Sequence, residues 1–300
     1  MDYSFQHYLL AKQSVDDRSL NRHVYQRLVE SLPQAPLRII EAGAGIGTML
    51  LRLLRWGFLS RAEYVLVDEL QENLTYAARL LPAWAAKNGM QVEKPAPGRL
   101  RMFDATRDIR VVLVCANVLD YARSAHSAPL PADLLIAHAF LDLLPMPQGL
   151  QALFGLLKPA GLAWLTINFD GLTSFEPALH APLDRKIERL YHQSMDARPG
   201  GGDSQSGRHL FGHIRASGAS LLAAGASDWV VHAIDGQYPR DEAYFLYYIL
   251  HFHEVSLLPH PKLDRRTLLE WLETRRSQIE HGELVYIAHQ TDFLVKLNGV

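Results

Sequence analysis

The chain has little of several things, and each shortage removes a class of protein. One cysteine among 300 residues, Cys115, excludes an intrachain disulfide, and its place in an apolar run predicts a small packed hydrophobe. Charge of one sign is also missing: 30 basic against 32 acidic residues leave a formal charge of -2, with no general electrostatic footprint for nucleic acid or an anionic membrane. No apolar run reaches membrane-spanning length, and the N-terminal residues Met1 to His7 lack a basic segment followed by an apolar one. The expectation is a cytoplasmic protein with no membrane or nucleic-acid partner. What is abundant is hydrophobic side chain, 48% of the residues, enough for one large core or two modest ones.

Apolar spacing in residues 5–31 predicts two short helices, broken near Val15-Asp16-Asp17, as a helical cap over 1–36. From 37 onward strands alternate with helices: strand one at Leu37 to Ala42, a helix from Gly47 to Trp56, strand two at Tyr64 to Val67 with Asp68 at its tip, and a helix from Gln71 to Asn88 interrupted by Pro82. Two segments compete for strand three. Val111 to Asn117 carries an uninterrupted β-branched run suited to a strand buried on both faces, whereas Leu100 to Asp104 alternates apolar and basic residues like an edge hairpin partner. Strand four is read at Asp133 to Phe140, a helix at Leu150 to Leu157, strand five at Leu162 to Phe169, a helix at Arg208 to Ala223, strand six at Asp228 to Ile234, helices at Tyr244 to His253 and Arg265 to Glu280, and a last strand at 284–290 that could continue to Leu297. Insertions are expected at about 171–208 and 235–282, within a domain spanning 37–300. This pattern is that of a doubly wound α/β sheet, with a ligand crevice at the carboxyl ends of its strands.

The most informative passage runs Ile39-Ile40-Glu41-Ala42-Gly43-Ala44-Gly45-Ile46-Gly47-Thr48. A strand that ends in glycines can turn tightly and let a bulky ligand approach the main chain. The spacing is G-x-G-x-G and not the G-x-G-x-x-G on which a dinucleotide pyrophosphate sits, and an acid precedes it, which disfavours a dehydrogenase. The segment resembles motif I of class I S-adenosylmethionine (SAM) dependent methyltransferases. Leu156-Leu157-Lys158-Pro159-Ala160-Gly161-Leu162 resembles the turn into strand five of that family, with Ala160 where glycine is usual.

The resemblance implies a mostly parallel, Rossmann-like sheet of seven strands with an antiparallel last strand, N-terminal helices and helical lid insertions. It implies SAM as cofactor, with the backbone of Gly43, Ala44, Gly45 and Gly47 facing its methionine part and Glu41 near its amino group. Asp68, 25 residues after Gly43, would take the ribose hydroxyls, with Glu69 beside it. Asn117 and the Val118 N–H would meet adenine, Asp104 being the alternative. His138, at the end of strand four, is the candidate base or acceptor-orienting group, against the alternative of a packed imidazole, with Phe140, Leu141 and Asp142 continuing over the cofactor. Asn168 and Asp170 end strand five near the cleft. The aromatic segment from Tyr238 to Glu254 could shape an apolar or aromatic acceptor pocket or pack against the sheet. Arg208 and the Arg185-Lys186-x-x-Arg189 group could receive an anion or form a solvated face. No metal is expected, because His251 and His253 diverge on a helix. The activity implied is methyl transfer to a small molecule; the alternative is a non-catalytic SAM-binding regulatory or partner subunit.

Overall fold

A computed structural model describes residues 3–33, 36–125 and 131–298. Positions 34 and 35, at the expected junction of cap and sheet, lie outside the described residues, as do Met1 and Asp2. In chain order the elements are α1 (Phe5–Ala11), α2 (Gln13–Ser19), α3 (Arg22–Ser31), β1 (Leu37–Ala42), α4 (Thr48–Arg55), β2 (Arg61–Asp68), α5 (Gln71–Lys87), β3 (Gln91–Ala96), β4 (Arg99–Phe103) and β5 (Asp108–Cys115). There follow α6 (Val118–Ala125), β6 (Ala132–His138), α7 (Gln148–Phe154), β7 (Leu157–Glu176), α8 (Ala181–Asp196), α9 (Ser206–Ala216), β8 (Ser220–Ala226), β9 (Trp229–Val231), α10 (Glu242–Leu257), α11 (Arg265–Glu280) and β10 (Val285–Lys296).

One sheet joins the strands in the order β3-β4-β5-β2-β1-β6-β7-β10-β8, with β9 on β10. The five strands from β5 to β7 run parallel; β10 enters antiparallel between β7 and β8. Strand β1 lies at the centre, with Ile39 level with Tyr64 of β2 and Leu134 of β6. Alternation then divides the core between two faces. Ile39, Leu66 and Trp164 pack with α4 and α5 on one face; Ile40, Val65 and Leu165 pack with α6, α7 and α9 on the other. Helices on both faces make the sheet doubly wound.

The seven strands implied by the resemblance are present as β5, β2, β1, β6, β7, β10 and β8, but the sheet has ten, because the β3–β4 hairpin and β9 extend it. The β-branched run is strand three: β5 pairs in parallel with β2, while β4 pairs antiparallel with β5. It is not buried on both faces as expected, since only Ile109 and Val111 are buried, Val112 to Val114 are half-buried and Cys115 is exposed. Four further expectations are corrected. The N-terminal region holds three helices and not two, since Asp16 and Asp17 spend their carboxylates on distant cations and do not break α2; the chain turns at Leu20, and Asn21 caps α3 through Val24 N–H. Strand five continues to Glu176, with Phe175 paired to Tyr286, so the connection that follows is shorter than expected. The helix expected to reach Ala223 stops at Ala216, and strand six is the Ala- and Gly-containing β8; the expected segment at 228–234 supplies only the short β9. The last strand is continuous through Lys296, with bulges in its pairing to β7.

The N-terminal helices share the core: α1 packs on α10, α2 on β9, and α3 on β8 and β10. Gly225 permits this, because a Cβ there would stand 2.3 Å from the Asn21 side chain.

Candidate functional site

At the carboxyl end of β1 the chain passes through Gly43, Gly45 and Gly47 with φ of +65°, +54° and +81°, all in the left-handed region. Gly43 is also a place of close approach: a Cβ would lie 2.2 Å from the Phe140 ring. Gly45 N–H donates to Asp68 Oδ2 at 2.7 Å, and Gly47 is the N-cap of α4. The loop forms one wall of a cavity of about 230 Å³. Asp68, Glu69, Ala116, Asn117 and Val118 add the ends of β2 and β5; His138, Ala139 and Phe140 add the end of β6; Phe5, Leu9 and Lys12 cover it from α1 and its C-terminal flank.

Of the residues expected to meet the cofactor, Glu41, Gly43, Ala44, Gly45, Asp68, Glu69, Asn117, Val118 and His138 line this cavity, whereas Gly47 does not and instead packs against Leu66 and Leu81; several of the lining residues hold protein partners. Glu41 is buried and accepts from the Tyr64 hydroxyl at 2.7 Å; burial, partly offset by that bond, pushes its carboxyl up to about 8. Asp68 accepts from Gly45 N–H, Leu70 N–H and Asn73 Nδ2, so three of about four acceptor positions on its carboxylate are filled. Exposed Glu69 faces Asn117, Nδ2 to Oε2 being 3.4 Å. Asn117 Oδ1 already accepts from Leu119 N–H at the start of α6, leaving its second lone pair for a ligand. Asp104 lies in the β4–β5 turn, bound to Thr106 and Arg107, and does not line the cavity.

His138 is buried with both ring nitrogens engaged, Nε2 to Asp16 Oδ2 at 2.9 Å and Nδ1 to Thr166 Oγ1 at 2.8 Å. Burial would raise the Asp16 carboxyl, but Lys12, His138 and Arg52 together hold it well below the usual range. An ionised Asp16 only accepts, so Nε2 donates and Nδ1 accepts from the Thr166 hydroxyl. Burial carries the imidazole down to about 4 despite Asp16, and the ring is neutral at pH 7. As placed, neither nitrogen is free to take a proton from an acceptor, contrary to the expectation of a general base.

A second cavity of about 320 Å³ adjoins the first, with Phe5, Leu9, Lys12, Ala139 and Leu143 lining both. Its wall is rich in aromatic side chains, including Tyr8, Phe169, Tyr191, Trp229 and Phe252.

No family model and no curated protein matches the chain. Among solved structures, a protein from Bacillus halodurans C-125, provisionally described as a methyltransferase, superposes with a TM-score of 0.51 at 10% identity, over 93% of this chain and 100% of that one. The chain has the class I methyltransferase fold. A SAM-dependent methyltransferase from Thiobacillus denitrificans, in complex with S-adenosyl-L-homocysteine, aligns over 98% of this chain and 99% of its own with a TM-score of 0.48 and 13% identity.

On this methyltransferase fold the remaining expected residues divide. The aromatic helix packs inside the fold and also reaches a cavity: Tyr244, Phe245 and Tyr248 are buried, Tyr248 stacking on Tyr8 of α1 at 4.6 Å, while Ile249 and Phe252 line the second cavity. His251 stacks on Tyr3 and His253 on Tyr191, in different places. Asn168 and Asp170 line neither cavity: Asn168 donates to Thr291 O, and Asp170 holds the Arg208 guanidinium at 2.7 Å, which leaves Arg208 as a structural partner and not an anion receptor. Arg185 and Arg189 are exposed and also lie outside both cavities.

Sequence reasoning missed Lys12, Asp16 and Arg198, and it set Asp142 over the cofactor, whereas Asp142 lines the second cavity and not the first. Lys12 and Asp16 form a buried i, i+4 ion pair at 3.1 Å, the only trace of it in sequence being that spacing. Asp142 and Arg198 enter the second cavity from the ends of β6 and α8.

Proposed function

We propose that the chain is a SAM-dependent methyltransferase acting on a small apolar or aromatic molecule. The observation that carries this reading is the pair of adjoining cavities at the carboxyl ends of the parallel strands, one walled by the glycine loop and the strand-end acids, the other by aromatic side chains.

The residues fit the cofactor. Gly43, Ala44 and Gly45 put main chain on the cavity wall, and Glu69, with the remaining position on Asp68, suits ribose hydroxyls. Asn117 and Val118 suit the adenine edge; Leu143 and Phe140 offer apolar cover. Glu41, buried against the loop, suits an ammonium group, directly or through water. When bound, SAM supplies an activated methyl group on a sulfonium whose departure leaves a neutral thioether.

The chain's own part is to hold the acceptor against that cavity and keep water out. Phe5, Leu9 and Leu143 close the junction with apolar surface, and alignment of this kind supplies a large share of the rate in a displacement. His138 acts as a positioning residue. By donating from Nε2 to Asp16 it ties α2 to the end of β6, so the Ala139-Phe140 turn and the Lys12 ammonium keep fixed places at the junction. The segments at 177–208 and 235–282 act as lids, contributing Tyr191, Met195, Arg198, Ile249 and Phe252.

Calorimetric titration with SAM, S-adenosylhomocysteine, NAD and NADH tests the reading. Micromolar binding of the two adenosyl ligands, weakened in Glu69→Ala and Asp68→Asn, with none of the nicotinamides, is the expected result. Absence of adenosyl binding by folded protein would overturn it.

A further inference from the structure

The second cavity has an apolar wall interrupted by an acid and a base that do not satisfy each other. Arg198 Nη1 and Asp142 Oδ2 stand 3.6 Å apart, beyond hydrogen-bond reach, and Nη1 is buried without a hydrogen-bond partner although the side chain as a whole is partly exposed. Asp142 is the only carboxylate among the described residues lining this cavity. Burial pushes its carboxyl up, and Arg198, a hydrogen bond from its own backbone and then Lys12 pull it part of the way back. The other cation, Lys12, is already bonded to Asp16. A donor and an acceptor are thus held side by side at the edge of an aromatic chamber. Leaving such groups unmade is costly, which points to a ligand that completes them.

We propose that this cavity takes a small hydroxylated molecule with an aromatic or alicyclic body, whose hydroxyl accepts from Arg198 and donates to Asp142. The inference rests on the methyltransferase reading for calling that molecule the acceptor. A hydroxyl is singled out because it offers a donor and an acceptor on one atom, and an oxygen on the cavity side can sit about 2.8 Å from both groups at once. A carboxylate would satisfy Arg198 but face Asp142, and an amine would satisfy Asp142 but face Arg198 with Lys12 nearby. An ether accepts from Arg198 and leaves Asp142 unmet. The body of the ligand would lie among Phe5, Tyr8, Phe169, Tyr191, Trp229 and Phe252, which supply edges and faces for a ring.

The test uses four probes on the full chain, with and without S-adenosylhomocysteine: naphthol, its methyl ether, naphthoate and naphthylmethylamine. Naphthol should bind at least about tenfold more tightly than each of the others, since a site built for a hydroxyl discriminates strongly against analogues that cannot reproduce its bonds. Arg198→Met and Asp142→Ala should flatten that ranking while leaving S-adenosylhomocysteine affinity unchanged, since neither residue lines the first cavity. The wild-type ranking decides the matter even if a variant fails to fold. Tightest binding by naphthoate or the amine, equal binding of all four, or binding of none overturns the proposal. Retained naphthol preference without adenosyl binding would overturn only the methyltransferase reading; adenosyl binding without the preference would overturn only the hydroxyl site.

Discussion

Glu41 is the residue whose charge state depends most directly on what fills the first cavity. With its carboxyl pushed to about 8, it is protonated at pH 7 while bound to Tyr64 alone. An ammonium group brought beside it favours the carboxylate, so SAM binding at pH 7 should release up to about one proton and strengthen as pH rises toward 8. Calorimetry in buffers of different ionisation heat measures that proton; Glu41→Gln should release none, and wild type releasing none would show that Glu41 does not meet the ammonium. At this scale the sequence was legible where function follows from local spacing. Gly43, Gly45 and Gly47 announce a backbone that no side chain could follow. Asp16 and His138, 122 positions apart, carry no such mark, since only the fold brings them to 2.9 Å. The same is true of the approach of Arg198 to Asp142, which only the fold brings to 3.6 Å.

Among the elements, α1 and α2 bear most on the site, because Phe5, Leu9 and Lys12 line both cavities. Asp16 anchors them: it accepts from His138 and from Trp229 Nε1, pairs with Lys12, and lies 3.8 Å from Arg52. Removing its charge leaves buried cations without their partner, a change that costs on the order of 3 kcal/mol. Asp16→Asn should therefore lower stability by about that amount, and speed hydrogen exchange through residues 5–19 more than in β1 or β2. Equal exchange in variant and wild type would mean that the apolar contacts of Tyr8 and Val15 suffice. Element reading from sequence worked where one composition admits one structure. The β-branched run of β5 is a strand paired in parallel with β2, and the basic alternation of β4 its antiparallel partner, although only Ile109 and Val111 of β5 are buried. It failed at β8, whose Ser-Leu-Leu-Ala-Ala-Gly-Ala has the composition of a helix end; Gly218, with φ of +72°, marks the true end of α9. Pairing with β10 overrides local preference there.

For the molecule as a whole, two fully interior histidines set a limit on acid tolerance. His138 and His253 are each carried down to about 4 by burial, His253 with Nδ1 donating to Ile249 O and Nε2 unpartnered. An unfolded histidine titrates near 6.5, so between about 6.5 and 4 the unfolded chain binds more protons than the folded one, and stability falls as pH falls. Each contributes roughly 1.4 kcal/mol per pH unit over that window. Urea unfolding at successive pH values should show this decline, and His253→Gln should remove about one group's share of the slope; a flat profile between pH 7 and 5 would contradict neutral burial of both.

The place of β10 has a bearing on how the chain assembles as it is made. It is the last of the described strands to be synthesised, yet it lies between β7 and β8, and its pairings span Val285 to Lys296. Until it arrives, β7 presents an open strand edge and β8 has no neighbour in the sheet, so a partly made chain carries two unpaired ladders that invite association with other chains. Completion of the sheet is therefore a late event, and α3, which rests on both β8 and β10, docks in its final position only then.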